Sequence, residues 1–150
     1  MDEGRKTSGI TENDTFIILQ KIQDMRQYAY PIMMRWSVAE KYAIGNDMMH
    51  CMNELLELAV AVRWKHFKKT TLTDLDIKNK TLQVYIKDAF ELKILKGISS
   101  YKEWTRRSEE IGKLIGGYIQ TINGAAAGNT ANQQQGTFRS SRGRYYSTRK

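Results

Sequence analysis

The stretch 100–124, SYKEWTRRSEEIGKLIGGYIQTING, decides the fold class. Tyr101, Trp104, Ser108, Ile111, Ile115, Tyr118 and Ile122 recur at alternating steps of three and four residues. That spacing places them on one face of an α-helix. Ser100 and Glu103 have the S-x-x-E form of a capping box at its start, and Asn123-Gly124 is a stop signal at its end.

Three further segments carry the same periodicity. In the first, Ile18, Ile22, Met25, Ala29, Ile32 and Trp36 share a face, with Asp14 as the expected N-cap. Pro31 falls within it and is expected to kink or split that helix, because it removes a backbone donor. SVAEKYAIG (37–45) reads as a connection, ended by Gly45, with Asn46 capping the next helix. There Met48, Met52, Leu55, Ala59, Val62 and His66 form the stripe, widened by Met49, Leu56 and Val60. This helix ends in RWKHFKKT (63–70), whose positive charge suits the negative end of a helix dipole. In the third segment, Thr73 and Asp76 suggest a capping box, Leu75, Leu82, Ile86 and Ala89 share a face, and Gly97 is the expected stop. Helices of about 22–25 residues with short links predict an all-α fold, an antiparallel up-down-up-down four-helix bundle. The expected organisation is a flexible N-terminus (1–13), the bundle (14–123) and a disordered, basic, Arg-rich C-terminal tail (124–150).

The 150 residues fit one domain, and a hydrophobic fraction of 41% suffices for one core. Cys51 is the single cysteine, so no internal disulfide forms and a reducing compartment is favoured. MDEGRKTSGITEND at the N-terminus has no apolar stretch after its charges, so no secretory signal is expected. No apolar run is long enough for a membrane span. The expected location is cytoplasmic, away from membrane. The net charge of +8 favours a polyanionic partner, nucleic acid foremost. The last acid is Glu110, and the tail adds Arg139, Arg142, Arg144, Arg149 and Lys150 with none.

Two helical clusters are candidates for phosphate contact: Arg63, Lys65, His66, Lys68 and Lys69 near the end of the second helix, and Arg106, Arg107 and Lys113 on the fourth. The competing reading is a solvated, salt-bridged surface, on which Glu103–Arg107 and Glu109–Lys113 would pair at i, i+4. In the tail, Arg139, Arg142 and Arg144 stand near Tyr145 and Tyr146, a mixture suited to unpaired bases. Gly112, Gly116 and Gly117 each disfavour a helix interior by about 1 kcal/mol relative to Ala. Close approach of another helix, within the chain or across an oligomer interface with Tyr118, would offset that.

Catalytic signatures are missing. A bundle-core metal site needs Glu-x-x-His pairs, and the nearest match, Asp47-x-x-His50, has no counterpart. Cys51 adjoins His50, but adjacent helical residues face different ways. No phosphate-binding loop or dinucleotide glycine motif occurs, so neither a metal nor a cofactor is expected.

EEIGKLIGGYI (109–119) and the KYAIGNDM turn (41–48) carry a family resemblance. Over roughly residues 15–122 the chain resembles the accessory variability determinant, Avd, the four-helix-bundle accessory protein of bacterial and phage diversity-generating retroelements. Tyr118 stands where that family more often has Trp, and the tail lies outside the usual family core. The resemblance implies a basic homopentamer that binds the element's reverse transcriptase, its template RNA and, by extension, the cDNA. It implies support of adenine-mutagenic cDNA synthesis and retrohoming, with the catalytic aspartates on the reverse transcriptase. The competing resemblance is to the bundle proteins encoded in intervening sequences of bacterial ribosomal RNA genes, which would make the chain an oligomeric scaffold.

Overall fold

The computed structural model describes residues 10–134, with side chains through residue 124. Among the described residues every regular element is helical. Four long helices, α1 (Glu12–Met34), α2 (Asn46–Trp64), α3 (Lys69–Glu91) and α4 (Ile98–Gln134), confirm the all-α expectation. The bundle unit is Ile10–Ile119. The described residues beyond it, 120–134, belong to a second unit and are helical.

Neighbouring helices run antiparallel. Arg63, late in α2, reaches Glu12 and Phe16 early in α1, while Asn53 in mid-α2 bonds Arg26 and Tyr30 further along α1. Asn79 of α3 meets Ser108 of α4, and Phe90 meets Tyr101. Lys21 of α1 pairs with Glu110 of α4 at 2.7 Å, and Tyr28 packs on Trp104. Ile18, Ile22, Met25 and Ala29 of α1 face Met48, Met52, Leu55 and Ala59 of α2, Leu72, Leu75, Leu82 and Ile86 of α3, and Trp104, Ile111 and Ile115 of α4 in one closed core. Each fully buried aliphatic side chain contributes about 1.5–3 kcal/mol, against about 0–1 kcal/mol for a surface ion pair. The core therefore sets the fold, and the surface charges are left to other work.

Packing overrides several local end signals. α1 starts one turn before the expected cap: Thr11 is the N-cap, in a reciprocal capping box with Asp14. Pro31 does not split the helix. It and Gln27, whose carbonyl loses its donor, are both exposed, so water can satisfy that carbonyl. The expected connection 37–45 is itself helical. Ser37 caps Val38–Glu40, a π-helical turn Lys41–Gly45 follows, and α2 continues from it, so Asn46 is helical and caps nothing. α3 begins at Lys69, before Thr73, because Thr71 and Leu72 are buried. The Thr73 hydroxyl donates back to the Lys69 carbonyl, and no box forms. α3 ends at Glu91 with Leu92 as its C-cap, and it is Lys93 just beyond that takes the left-handed conformation (φ 62°), while Gly97 (φ 90°) precedes α4. The Ser100–Glu103 box is absent, because α4 starts at Ile98 and the Glu103 carboxylate is held by Arg106 and Arg107. At its far end α4 runs past Asn123-Gly124 to Gln134. The run Ala125–Ala127 has the highest helix propensity available and carries the backbone through the glycine.

Gly112 has a packing reason. A Cβ there would lie 3.1 Å from Asn79 Nδ2. That amide is buried in the α3 core stripe and donates to the Ser108 carbonyl at 2.9 Å, so it cannot retreat without losing its bond. Gly112→Ala is expected to destabilise by about 1 kcal/mol, overpacking of about 1–3 kcal/mol outweighing the helix-propensity gain. In an Asn79→Ala background the same change should instead stabilise by about 1 kcal/mol. Chemical denaturation of the four proteins of this cycle checks it, and additive effects would dismiss the contact.

Candidate nucleic-acid interface

The short link between α2 and α3 gathers the first basic cluster. α2 closes at Trp64, Lys65 turns extended (ψ 141°), and α3 begins at Lys69. His66 therefore lies beyond the helix and is exposed, not at the end of its apolar stripe. Lys68 pins the turn. Its ammonium donates to the Val62 and Lys65 carbonyls, two of the orphan acceptors at the α2 C-terminus. Burial pushes the Lys68 pKa down, with the Glu12 carboxylate opposing. Arg63 is also engaged inside the chain, 3.7 Å from Glu12 and with its guanidinium over the Phe16 ring. Lys65, His66 and Lys69 are exposed and have no carboxylate partner among the described residues.

Two residues that sequence reasoning did not single out complete this turn. Trp64 is 80% exposed and Phe67 84% exposed, the highest values among the large apolar side chains. His66 stands edge-on to Phe67, ring centroids 5.0 Å apart. The available signal was their position: both fall off the α2 stripe, within a basic run.

The second cluster behaves differently. Arg106 makes a two-pronged bond to Glu103 (2.9 and 2.8 Å) and reaches Glu110 at 3.3 Å. Arg107 bonds the same Glu103 carboxylate at 2.9 Å and lies over the Tyr28 ring, 4.3 Å from its centroid. Arg106 first, and then Arg107, hold the Glu103 carboxyl at about 2. Both arginines are thus engaged within the bundle. The expected Glu109–Lys113 pair does not close, and Lys113 lines a shallow cavity of about 400 Å³ with Gly112, Asn79 and Asp76. Gly116 and Gly117 have no described atom within 4 Å of an added Cβ, and Tyr118 is half-buried, its phenol pushed up by burial. Arg139, Arg142 and Arg144 lie outside the described residues.

Cys51 is buried, and its thiol donates to the Lys78 carbonyl at 3.3 Å. Burial pushes its pKa up to about 11, so the nucleophilic thiolate is scarce at neutral pH. His50 is exposed on a different face. Among the described residues no group of three His, Cys, Asp or Glu side chains is placed to hold a metal ion, and no helix is long and apolar enough to cross a membrane.

The Glu103 network has a pH signature. A depressed carboxyl pKa adds stability above the unfolded value, near 4.5, and that contribution is lost as pH falls toward 2. Glu103→Gln is expected to lower the melting temperature most at pH 7, with the gap narrowing between pH 4.5 and 2 and with added salt. Thermal melts of both proteins across that range check this; a constant gap would refute it.

A family model described as bAvd-like matches residues 16–122. No curated protein and no solved structure matches the chain.

Proposed function

The chain belongs to the bAvd-like family, and from that premise we propose that it is the non-catalytic accessory protein of a diversity-generating retroelement. In this reading it binds the element's reverse transcriptase and template RNA and supports mutagenic cDNA synthesis and retrohoming. The family match spans α1, α2, α3 and the bundle part of α4, so the reading rests on the folded unit and not on the tail.

The observation that carries it is the uneven use of charge. Arg63, Lys68, Arg106 and Arg107 are tied to partners within the chain, while Lys65, His66 and Lys69 stand together in solvent at one turn. Phosphate contact needs free cations, because each must approach the backbone of the nucleic acid and displace the counterions condensed there. Lys113 is a further free cation on α4. Polymer synthesis falls to the reverse transcriptase, and this chain supplies positioning.

The assembly proposed with this role is a homopentamer. Gly116 supports it, since a Cβ added there would meet no described atom, so a second copy could approach its helix backbone closely. The decisive experiment is co-purification with the reverse transcriptase and template RNA, with mass by light scattering at two salt concentrations. A multi-subunit complex that sheds RNA at high salt is expected, and a lone oligomer indifferent to both partners would overturn the reading. Replacing Lys65, Lys69 and Lys113 with Gln should weaken RNA binding across sequences and flatten the salt slope by about 0.7 per lost contact on single strands. Unchanged binding by that variant would remove these residues from the site.

A further inference from the structure

Trp64 and Phe67 are the anomaly of this surface. Large aromatic side chains normally contribute about 1.5–3 kcal/mol by burial, yet both stand in water at one four-residue link. Their exposure is built in. The Lys68 ammonium bridges the Val62 and Lys65 carbonyls, fixing the backbone on either side of Trp64, and Lys65 leaves the helix extended. The Phe67 ring is steadied by His66. The link itself is cationic. No acid occurs between Glu57 and Asp74, and the carboxylate that reaches this end from α1, Glu12, is occupied by Arg63.

We propose that the α2–α3 turn is a stacking platform for unpaired nucleotides, on which Trp64 and Phe67 take base faces while Lys65, His66 and Lys69 take the adjoining phosphates. This rests on the nucleic-acid-binding reading above and deepens it by naming the strand state bound. In a duplex each base face is covered by its neighbours, so exposed rings gain nothing there beyond charge. Unpaired bases offer both faces, and aromatic stacking holds them regardless of sequence. The order Trp-Lys-His-Phe also interrupts the apolar surface with polar side chains. A bilayer or an apolar protein groove would be better served by one continuous patch.

The molecule supplies its own probe. Trp36 and Trp104 are buried, at 9% and 0% exposure, so Trp64 is the one solvent-facing indole of the three. The full chain is titrated with a single-stranded oligouridine, a duplex RNA of equal length, polyphosphate and anionic lipid vesicles, following tryptophan emission and affinity together. The oligouridine should quench the exposed indole, whereas polyphosphate should bind without quenching. Trp64→Leu should abolish the quenching and weaken single-strand binding about 5- to 150-fold, the range for one lost stack, with duplex affinity unchanged. Phe67→Leu should weaken single-strand binding similarly while leaving the Trp64 signal in place. Both residues are exposed, so the variants should keep the wild-type melting temperature. Single-strand binding undiminished in both variants, or an emission shift with vesicles and none with oligouridine, would overturn the platform while leaving charge-driven nucleic-acid binding intact. Failure to bind any nucleic acid would overturn the parent reading and the platform together.

Discussion

Trp104 is fully closed off from solvent, its ring stacked on Trp36 at 6.4 Å and met edge-on by Tyr28 at 5.9 Å. Aromatic pairs in these geometries add about 0.5–1.5 kcal/mol each beyond the area they bury. The cluster also fixes geometry. Trp36 is the first buried residue after α1, and a Cβ on Gly45 would lie 3.4 Å from its ring. The π-helical turn Lys41–Gly45 brings the chain past Trp36 at its one residue without a side chain, and delivers Ile44 and Met48 into the core. A π turn places an extra residue in one helical turn and shifts the phase of the helix beyond it. The short KYAIG sequence thus joins α1, α4 and the start of α2 through one aromatic contact. The Trp104 indole N–H is left buried without a described partner, a penalty the surrounding burial must outweigh.

From that end of the bundle α2 runs 19 residues, about 28 Å, to the basic turn. The two ends are built on opposite principles. At the tryptophan end aromatic rings are driven into the core. At the far end Trp64 and Phe67 stand outside it, and along the bundle the cations are sorted. Arg106 and Arg107 serve the bundle by bracketing Glu103. Lys68 serves the backbone by capping α2. Lys65, His66 and Lys69 are what remains for a partner. The count of 24 lysines and arginines is therefore no measure of the cations open to a phosphate, because many of them already hold a carboxylate or a backbone carbonyl.

The helical faces were legible in the sequence because burial imposes a period that no other element reproduces. Leu75, Leu82 and Ile86 are buried as their spacing required. Asn79, in the same stripe, is polar and gives no apolar signal; its contact with Ser108 and Gly112 explains both it and the glycine. Helix ends were less legible. Thr73-x-x-Asp76 and Ser100-x-x-Glu103 have cap spacing, but a cap contributes about 1 kcal/mol and yields to the burial of Thr71 and Leu72 or to a bidentate arginine. For the candidate site, the basic run 63–69 could be read directly. Which of its cations were already engaged could not, since Arg63 is held by Glu12 from far back in the chain and Lys68 by backbone carbonyls.

The pinned turn bears on how binding would work. A loop that must be ordered on association loses about 0.5–1.5 kcal/mol for each immobilised side chain, before any backbone term. Here the backbone around Trp64 is already fixed by Lys68, and Phe67 already rests on His66, so much of that loss is incurred on folding. Stacking on a fixed aromatic ring needs no particular base, and lysine contact with phosphate needs no particular sequence. A partner protein that must accept a template as it is copied, whatever letter stands at each position, gains from a contact of this kind.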